Sequence, residues 1–327
     1  MKPHTLHGSL LGTAVGDAYG LPYEGIAPSR LQKLFRHDGV YHLIPIIHGG
    51  MVSDDSEHAV MTVQAYIASG GDVEKFRHAL KWRLVAWLWT LPAGVGLATG
   101  RSIFKMMFGF RQTGVYSAGN GGAMRASVLG VLCDDIAMLK TFIHASTTLT
   151  HTDPKAVQGS LAVALLAWIE CRYPHWDNEQ ALQFVSEHLD DEELMTLFGS
   201  YQASAKGITG YMYDTVPEVV QAWQAHRDKP RAGFDWLIAK GGDTDSTCAI
   251  FGGIVGVRHG QALFDDMGGT WCEPVLRPSF LQHLASQAVE GLPKRPMRLF
   301  SLWTYPRNLC FLIIVLLHGF RRLLPPY

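Results

Sequence analysis

Two short acidic clusters hold the residues best suited to chemistry. Gly241-Gly242-Asp243-Thr244-Asp245-Ser246-Thr247 sets two carboxylates one residue apart among hydroxyls, just before the small and apolar run Cys248–Gly256. The glycine pair lets the backbone bend sharply before the run. With Gly252, Gly253 and Gly256 on one side, that run reads as a tightly packed buried helix. Far upstream, Ser53-Asp54-Asp55-Ser56 follows the Gly49-Gly50 pair and opens the helix-like stretch Glu57–Tyr66. Adjacent carboxylates repel unless a proton or a cation neutralises them. Carboxylate and hydroxyl oxygens are hard ligands of the kind Mg²⁺ or Mn²⁺ prefers. An N-cap role explains one Asp at a helix start but not two. If the fold brings the clusters together, they supply about the four carboxylates that a two-metal site needs.

These clusters are two of five stretches that occur in a recognisable order. Gly8-Ser9-Leu10-Leu11-Gly12, running into Gly16-Asp17-Ala18-Tyr19-Gly20-Leu21-Pro22-Tyr23-Glu24, precedes Ser53–Ser56. Gly119-Asn120-Gly121-Gly122-Ala123-Met124-Arg125 and Thr150-His151-Thr152-Asp153-Pro154-Lys155-Ala156 then precede Gly241–Ser246. A weaker echo, Gly210–Thr215, lies between the last two. Over residues 5–260 the series resembles the ADP-ribosylglycohydrolases. The resemblance implies an all-α orthogonal helical bundle. It implies a hydrolase that cleaves the glycosidic bond between ADP-ribose and a protein side chain, arginine favoured, or a small ADP-ribosyl compound.

The same resemblance implies two divalent cations, Mg²⁺ ahead of Mn²⁺, and assigns the site residue by residue. Asp54, Asp55, Asp243 and Asp245 match its metal-binding acids, with Ser53 and Ser246 as hydroxyl ligands and Ser56 as a further candidate. Family members often carry Thr at these three serines, and Ser keeps the oxygen but lacks the methyl that stiffens the rotamer. Glu24 matches the family's loop glutamate, and Glu24, Asp55 and Asp245 form the expected catalytic set. Gly119, Asn120, Gly121, Gly122, Met124 and His151 are the expected ADP-ribose contacts. Backbone N–H groups of a glycine-rich turn at a helix start can cradle its pyrophosphate. Arg125 reads equally as a phosphate ligand or as a buried Arg paired with an acid. His151 is expected beside the site, hydrogen-bonded or capping, without a chemical role of its own, and Asp17 as a structural residue of its turn. A glycosidic bond at the distal ribose breaks through an oxocarbenium-like state, which paired cations assist by binding ribose hydroxyls and acidifying water. No second glycosidase carboxylate pair stands out, so Glu24 or one of the metal-binding Asp residues would handle the proton.

Helical periodicity must position these residues. It places helices at His4–Ala18, Ser29–Arg36, Ser56–Ser69, Val73–Thr90, Asp134–Thr147, Asp153–Cys171, Asn178–His188, Asp191–Lys206 and Phe280–Val289. Val40–Ile47 reads as loop or short strand, and Gly94–Gly122 as a long glycine-rich region. Trp82, Trp87 and Trp89 share one helix and read as core. Strand alternation is nearly absent, which fits the all-α class.

The chain has 327 residues, 47% of them hydrophobic and 17% charged, enough for a large core. A net charge of −1 gives no bulk attraction for nucleic acid. Five scattered cysteines form no CxxC pair, and four lie among apolar neighbours, as in a reduced cytosolic core. No secretory layout opens the chain, so a cytoplasmic protein is expected. Residues 1–295 read as one helical domain and 296–327 as a hydrophobic tail. The tail's apolar run Leu309–Leu317 is far short of the roughly 18–20 residues that span a bilayer. Docking on the body or on a second subunit is expected, with peripheral membrane attachment, helped by Arg321 and Arg322, as the less favoured reading. Because every motif precedes residue 260, the tail is expected to be dispensable for hydrolysis. A binding protein without activity, and a two-metal phosphohydrolase acting on the pyrophosphate, are the alternatives.

Overall fold

A computed structural model describes residues 3–34, 50–266, 271–290, 295–300, 302–321 and 323–325. In chain order its helices are α1 (Pro3–Gly20), α2 (Pro28–Leu34), α3 (Asp54–Ser69), α4 (Val73–Trp89), α5 (Leu97–Met107), α6 (Ser127–Leu132), α7 (Ile136–Thr148) and α8 (Pro154–Arg172). They continue as α9 (Asn178–His188), α10 (Glu192–Ser200), α11 (Met212–His226), α12 (Pro230–Lys240), α13 (Thr244–Asp266), α14 (Pro278–Val289) and α15 (Thr304–Arg321). Leu21–Tyr23 and Asn120–Arg125 are 3₁₀ turns, and the described residues contain isolated bridges but no strand. The all-α expectation is met.

Helix starts follow the sequence's side-chain caps. Ser53, Asp72, Asp135, Asp153, Asp177 and Asp191 each accept a hydrogen bond from a first-turn amide of the helix that follows. At α9 Asp177 and Gln180 complete a reciprocal capping box. The expected helix Asp191–Lys206 stops at Ser200, because a turn closed by Gly207 (φ +97°) and Ser204 takes over. The glycine-rich region conceals α5, the helix expected to open at its end begins at Ser127 as α6 with Arg125 still in the 3₁₀ turn, and α11 and α12 were not expected at all. The Val40–Ile47 segment and the end of Ser29–Arg36 lie outside the described residues.

The axis of the molecule is the pair α1–α13. Glycines at every fourth position of α1 face the backbone of α13. A Cβ at Gly8, Gly12, Gly16 or Gly20 would sit 2.1–2.2 Å from the carbonyl oxygen of Gly256, Gly252, Cys248 or Thr244. Gly12 and Gly252 face each other reciprocally, since a Cβ at Gly252 would lie 2.1 Å from the Gly12 oxygen. The missing side chains let two helix backbones touch along four turns, at distances where Cα–H···O contacts form. Ser9 Oγ donates to Gly253 O at 2.8 Å and Thr244 Oγ1 to Gly20 O at 2.8 Å, which pins both ends. Beside this seam the core is filled by large buried groups, among them Trp87, Trp223, Phe234 and Phe251.

Two sequence expectations change. Trp87 is core, donating to Glu57 Oε2 at 2.5 Å, but Trp82 and Trp89 are 49% and 62% exposed, because neighbouring positions of a 3.6-residue helix turn away from the core. Only Cys133 and Cys248 are buried, Cys171 is half-buried, and Cys272 and Cys310 are exposed. Of the apolar neighbours of Cys310, Leu309 and Ile313 are themselves exposed on α15, while Phe311 turns into the body.

The tail docks on the body. Arg307 on α15 is buried between Glu57 and Glu273 and donates to Val52 O at 2.7 Å. Asn308 donates to Thr90 O at 2.7 Å, and His318 Nε2 lies 2.9 Å from Pro22 O. Phe311 packs with Leu21, Met51 and Ala93. Among the described residues no helix is long and apolar enough to cross a membrane. The side chain of Arg321, and Arg322 altogether, lie outside the described residues.

Candidate active site

The two acidic clusters stand at the N-termini of α3 and α13, and α1 joins them. Asp17, buried near the end of α1, reaches across to cap α3. Its carboxylate accepts from Ser53 N at 2.9 and 3.0 Å, Ser56 N at 3.1 Å and Ser56 Oγ at 2.6 Å. The structural role expected of Asp17 is present, though it serves another helix rather than its own turn. Ser56 thereby spends its proton on Asp17. Ser53 Oγ donates to Asp55 Oδ2 at 3.2 Å, and so does Ser246 Oγ from α13, also at 3.2 Å. Asp55 is therefore the direct link between the clusters. Its other oxygen, Oδ1, is buried and has no hydrogen-bond partner.

The loops are laced by main-chain bonds around two left-handed glycines. Gly241 (φ +66°) and Gly242 (φ +84°) sit so close to other backbone that a Cβ would lie 2.4 Å from Ile26 O or 2.0 Å from Ile208 O. Gly25 N donates to Gly242 O at 2.7 Å, Gly242 N to Ile26 O at 3.0 Å and Asp243 N to Ile208 O at 2.9 Å. The loop carrying Glu24 is thus fastened directly to the loop carrying Asp243. Asn120 Nδ2 donates to Asp243 Oδ2 at 2.7 Å and to Thr215 Oγ1 at 3.1 Å, tying in the glycine-rich loop.

These loops surround a cavity of about 340 Å³. Glu24, Ser53, Asp54, Asp243, Asp245 and Ser246 line it on the acidic side, and Gly119, Asn120, Gly121, Met124 and His151 on the other. Of the expected site residues, Asp55 and Gly122 do not reach its surface. Asp55 lies behind the serines. Gly122 is packed where a Cβ would meet Ser160 Oγ at 2.5 Å and Thr147 Cγ2 at 2.7 Å, so its role is close packing.

Burial and crowding govern the electrostatics. Asp54, Asp55 and Asp245 have their carboxyls pushed well above the usual range, first by burial and then by neighbouring carboxylates, Glu24 and Asp243 beside Asp245 among them. Burial likewise raises Asp17 to about 6 despite its donors. The described acids share a pocket without three of them closing round one point. A carboxylate cluster with a buried, unsatisfied oxygen and adjacent hydroxyls is nevertheless a donor set that a hard cation fits.

On the opposite wall His151 is held neutral. Its Nδ1 lies 2.9 Å from Thr150 Oγ1, and burial with the nearby Arg125 lowers its pKa to about 4. Gly119 and Gly121 lie against its ring, where a Cβ would approach to 3.1 and 2.8 Å. Arg125 does not line the cavity. It is buried, its pKa lowered to about 10 by desolvation, and it bonds Ser146, Thr150 and His58. The buried structural role expected for Arg125 is present, but without the acid partner: it orders the wall behind His151 through hydroxyls, a carbonyl and an imidazole. In the glycine loop the Gly119 N–H donates to Ser117 Oγ and the Asn120 N–H to Gly210 O, so both of these amides are already paired.

Several lining residues had no signal in the motifs. Gly94 (φ +82°) brings its loop against Asp54, where a Cβ would lie 3.3 Å from Oδ1, and the stretch from Ala93 to Thr99 completes that edge. Gly210 and Thr215 belong to the weak echo and hold the Asn120–Asp243 pair. Phe311 and Val315 come from the tail. The tail thus lines part of the cavity, although every motif precedes residue 260.

A helical scaffold that gathers hydroxyl–carboxylate clusters and a loop glutamate round one cleft defines the general class, and sequence comparison narrows it. The chain matches the model of the ADP-ribosylglycohydrolase family over residues 4–297, and it belongs to that family of hydrolases of ADP-ribosyl linkages. It is 26% identical over 280 residues to the ADP-ribosyl-[dinitrogen reductase] glycohydrolase of Rhodospirillum rubrum, covering 81% of this chain and 87% of that one. It is 28% identical over 302 residues to an uncharacterised protein of Archaeoglobus fulgidus, covering 86% and 94%. Among solved structures, an ADP-ribosylglycohydrolase-related protein complex superposes with a TM-score of 0.67 at 21% identity, over 88% of this chain and 98% of that one. That likeness concerns the fold.

Proposed function

We propose that the protein is a divalent-cation-dependent hydrolase that releases ADP-ribose from a glycosidic linkage. The observation that carries this reading is the convergence of both acidic clusters and Glu24 on one cavity, fastened by the Asp55, Asn120 and Gly242 hydrogen bonds. Asp54, Asp243 and Asp245, with Ser53 and Ser246 on the cavity wall, would hold two cations, Mg²⁺ ahead of Mn²⁺, and Asp55 would join them only by turning out from behind the serines. When bound, such cations supply Lewis-acid stabilisation of charge at the ribose and lower the pKa of water. Asn120 keeps Asp243 turned toward the cavity, and Asp17 holds the start of α3 so that Ser53 and Asp54 keep their places. Glu24 orients water and takes its proton. Neutral His151 and the glycine loop at Gly119–Gly121 receive the ADP-ribose moiety without adding positive charge. The leaving group is a protein side chain, with arginine favoured by the family resemblance, and a small ADP-ribosyl compound is the alternative.

Product analysis tests the reading. ADP-ribosyl-arginine peptide, ADP-ribosyl-serine peptide and O-acetyl-ADP-ribose are incubated with the protein and Mg²⁺ or Mn²⁺. The expected product is ADP-ribose from at least one substrate, only with the cation. AMP and ribose phosphate would identify a phosphohydrolase instead, and no product with retained ADP-ribose binding would identify an inert relative.

A further inference from the structure

The family match ends at residue 297, yet the cavity does not. Phe311 and Val315, one helical turn apart on α15, are among its lining residues. They pack with Leu21, Met51 and Ala93 into a small apolar cluster separate from the main core. This cluster is joined by short links to the residues of chemical interest. Leu21 begins the 3₁₀ turn that Glu24 terminates, and Met51 and Val52 lead directly into Ser53. Arg307, one turn earlier on α15, donates to Val52 O and is paired with Glu57 in the first turn of α3. Phe311 is only 2% exposed, with the Arg307 guanidinium carbon 4.8 Å from its ring centre, so its position is fixed from two sides. The outward side of the same helix, including Leu309, Leu317 and Phe320, is exposed and takes no part in the cavity.

We propose that α15 supplies an apolar subsite for the leaving group, built from Phe311 and Val315 with Leu21 and Ala93. The inference rests on the hydrolase reading above. The subsite adjoins the loop of Glu24, so it borders the scissile bond, while the ADP-ribose contacts lie along the glycine loop and His151. Its chemistry suits an aliphatic stem, such as the three methylenes of an arginine side chain, whose polar end stays in water or meets the acids. Phe311 and Val315 are therefore specificity-determining residues: they favour leaving groups with a hydrocarbon stem over short ones such as acetate.

The test compares kcat/KM for an ADP-ribosyl-arginine peptide and for O-acetyl-ADP-ribose in the full-length parent, Phe311→Ala, Phe311→Leu, Val315→Ala and the outward-facing control Leu317→Ala. The expected result is a fall of about tenfold or more in the arginine-to-acetyl ratio for Phe311→Ala, through KM, with ADP-ribose affinity retained. Phe311→Leu and Val315→Ala should move the ratio less, and Leu317→Ala should leave it unchanged. If Phe311→Ala does not fold, the other two inward variants carry the comparison. A constant ratio across the folded inward variants overturns the subsite. If the parent cleaves neither compound, the hydrolase reading fails, and the subsite is then judged by binding. Selective loss of affinity for ADP-ribosyl-arginine over ADP-ribose in Phe311→Ala would support it, and equal loss or none would overturn it.

Discussion

Replacing Gly16 by alanine should dismantle the site without altering any acid in it. An added Cβ would lie 2.1 Å from Cys248 O and 2.5 Å from Cys248 C. Carbon–oxygen contacts settle no closer than about 3.3 Å. Both obstacles are backbone of α13, so no rotamer can yield and the two helices must part by roughly 1 Å. Overpacking of this kind costs about 1–3 kcal/mol. In a chain of 327 residues that lowers Tm by about 1.5–4.5 °C. The displacement falls beside Asp17, which holds Ser53 and Ser56, and opposite the turn of α13 that carries Asp245. A misplacement of about 1 Å at such a site costs roughly 100-fold in rate. Differential scanning fluorimetry with and without Mg²⁺, together with turnover, reads both effects. Gly199→Ala is the internal control, since no atom lies within 4 Å of its added Cβ and helix propensity favours it. A Gly16→Ala protein that melts with the parent, or keeps its full rate, would refute the backbone-contact seam as the device that aligns the clusters.

Glu24→Gln should bind ADP-ribose and cation nearly as the parent does but hydrolyse about 10²–10⁴ times more slowly in single-turnover measurements. Full rate would make Glu24 a bystander, and lost cation binding would make it a ligand. A pH effect follows from Asp17, raised by burial from 3.8 to about 6, which keeps its proton in the fold at pH values where the unfolded chain has released it. Its contribution, at most about 3 kcal/mol, is present in full below pH 3.8 and is lost as pH rises through about 6. His151, lowered to about 4, acts oppositely: its contribution is present above pH 6.5 and is lost as pH falls toward 4. Chemical denaturation of cation-free protein between pH 4 and 7 should therefore show a smaller decline in Asp17→Asn than in the parent, and equal slopes would count against the burial of a titrating Asp17.

The acid clusters were legible because hydroxyl–acid pairs after glycines have few other uses, and the structure brings both to one cavity. Six of the fifteen described helix starts were legible for a similar local reason, since a capping Asp or Ser announces itself within four residues. The α1–α13 seam was half legible. The glycines of α13 suggested close packing, but Gly8, Gly12, Gly16 and Gly20 reveal their partner only when a second backbone lies against them. Helices α5, α11 and α12 were hidden by the glycines and short apolar runs around them, whose spacing does not separate helix from loop. Gly122 and Asp55 show the limit of motifs. Each stands within a matching stretch, and tertiary packing places each behind the surface its neighbours form. Phe311 and Val315 carry no chemical signature at all, and their place at the cavity depends on contacts distant in sequence, among them those of Arg307, Asn308 and His318.

Cation-linked behaviour of Asp245→Asn tests the central claim most directly. Protein stripped with chelator is titrated with Mg²⁺ and then Mn²⁺, recording Tm and the release of ADP-ribose from an ADP-ribosyl-arginine peptide in the same samples. Asp245 is buried, raised well above its usual pKa by burial and its acid neighbours, and nearly isosteric with Asn, so the fold should survive the change. The parent should gain stability with cation concentration, as expected for a ligand that binds only the folded state, and should gain turnover in parallel. Asp245→Asn should lose both gains while folding normally without cation. A variant that responds to cation as the parent does, or a parent that releases ADP-ribose equally well in excess chelator, would contradict the assignment of these carboxylates to a cation site.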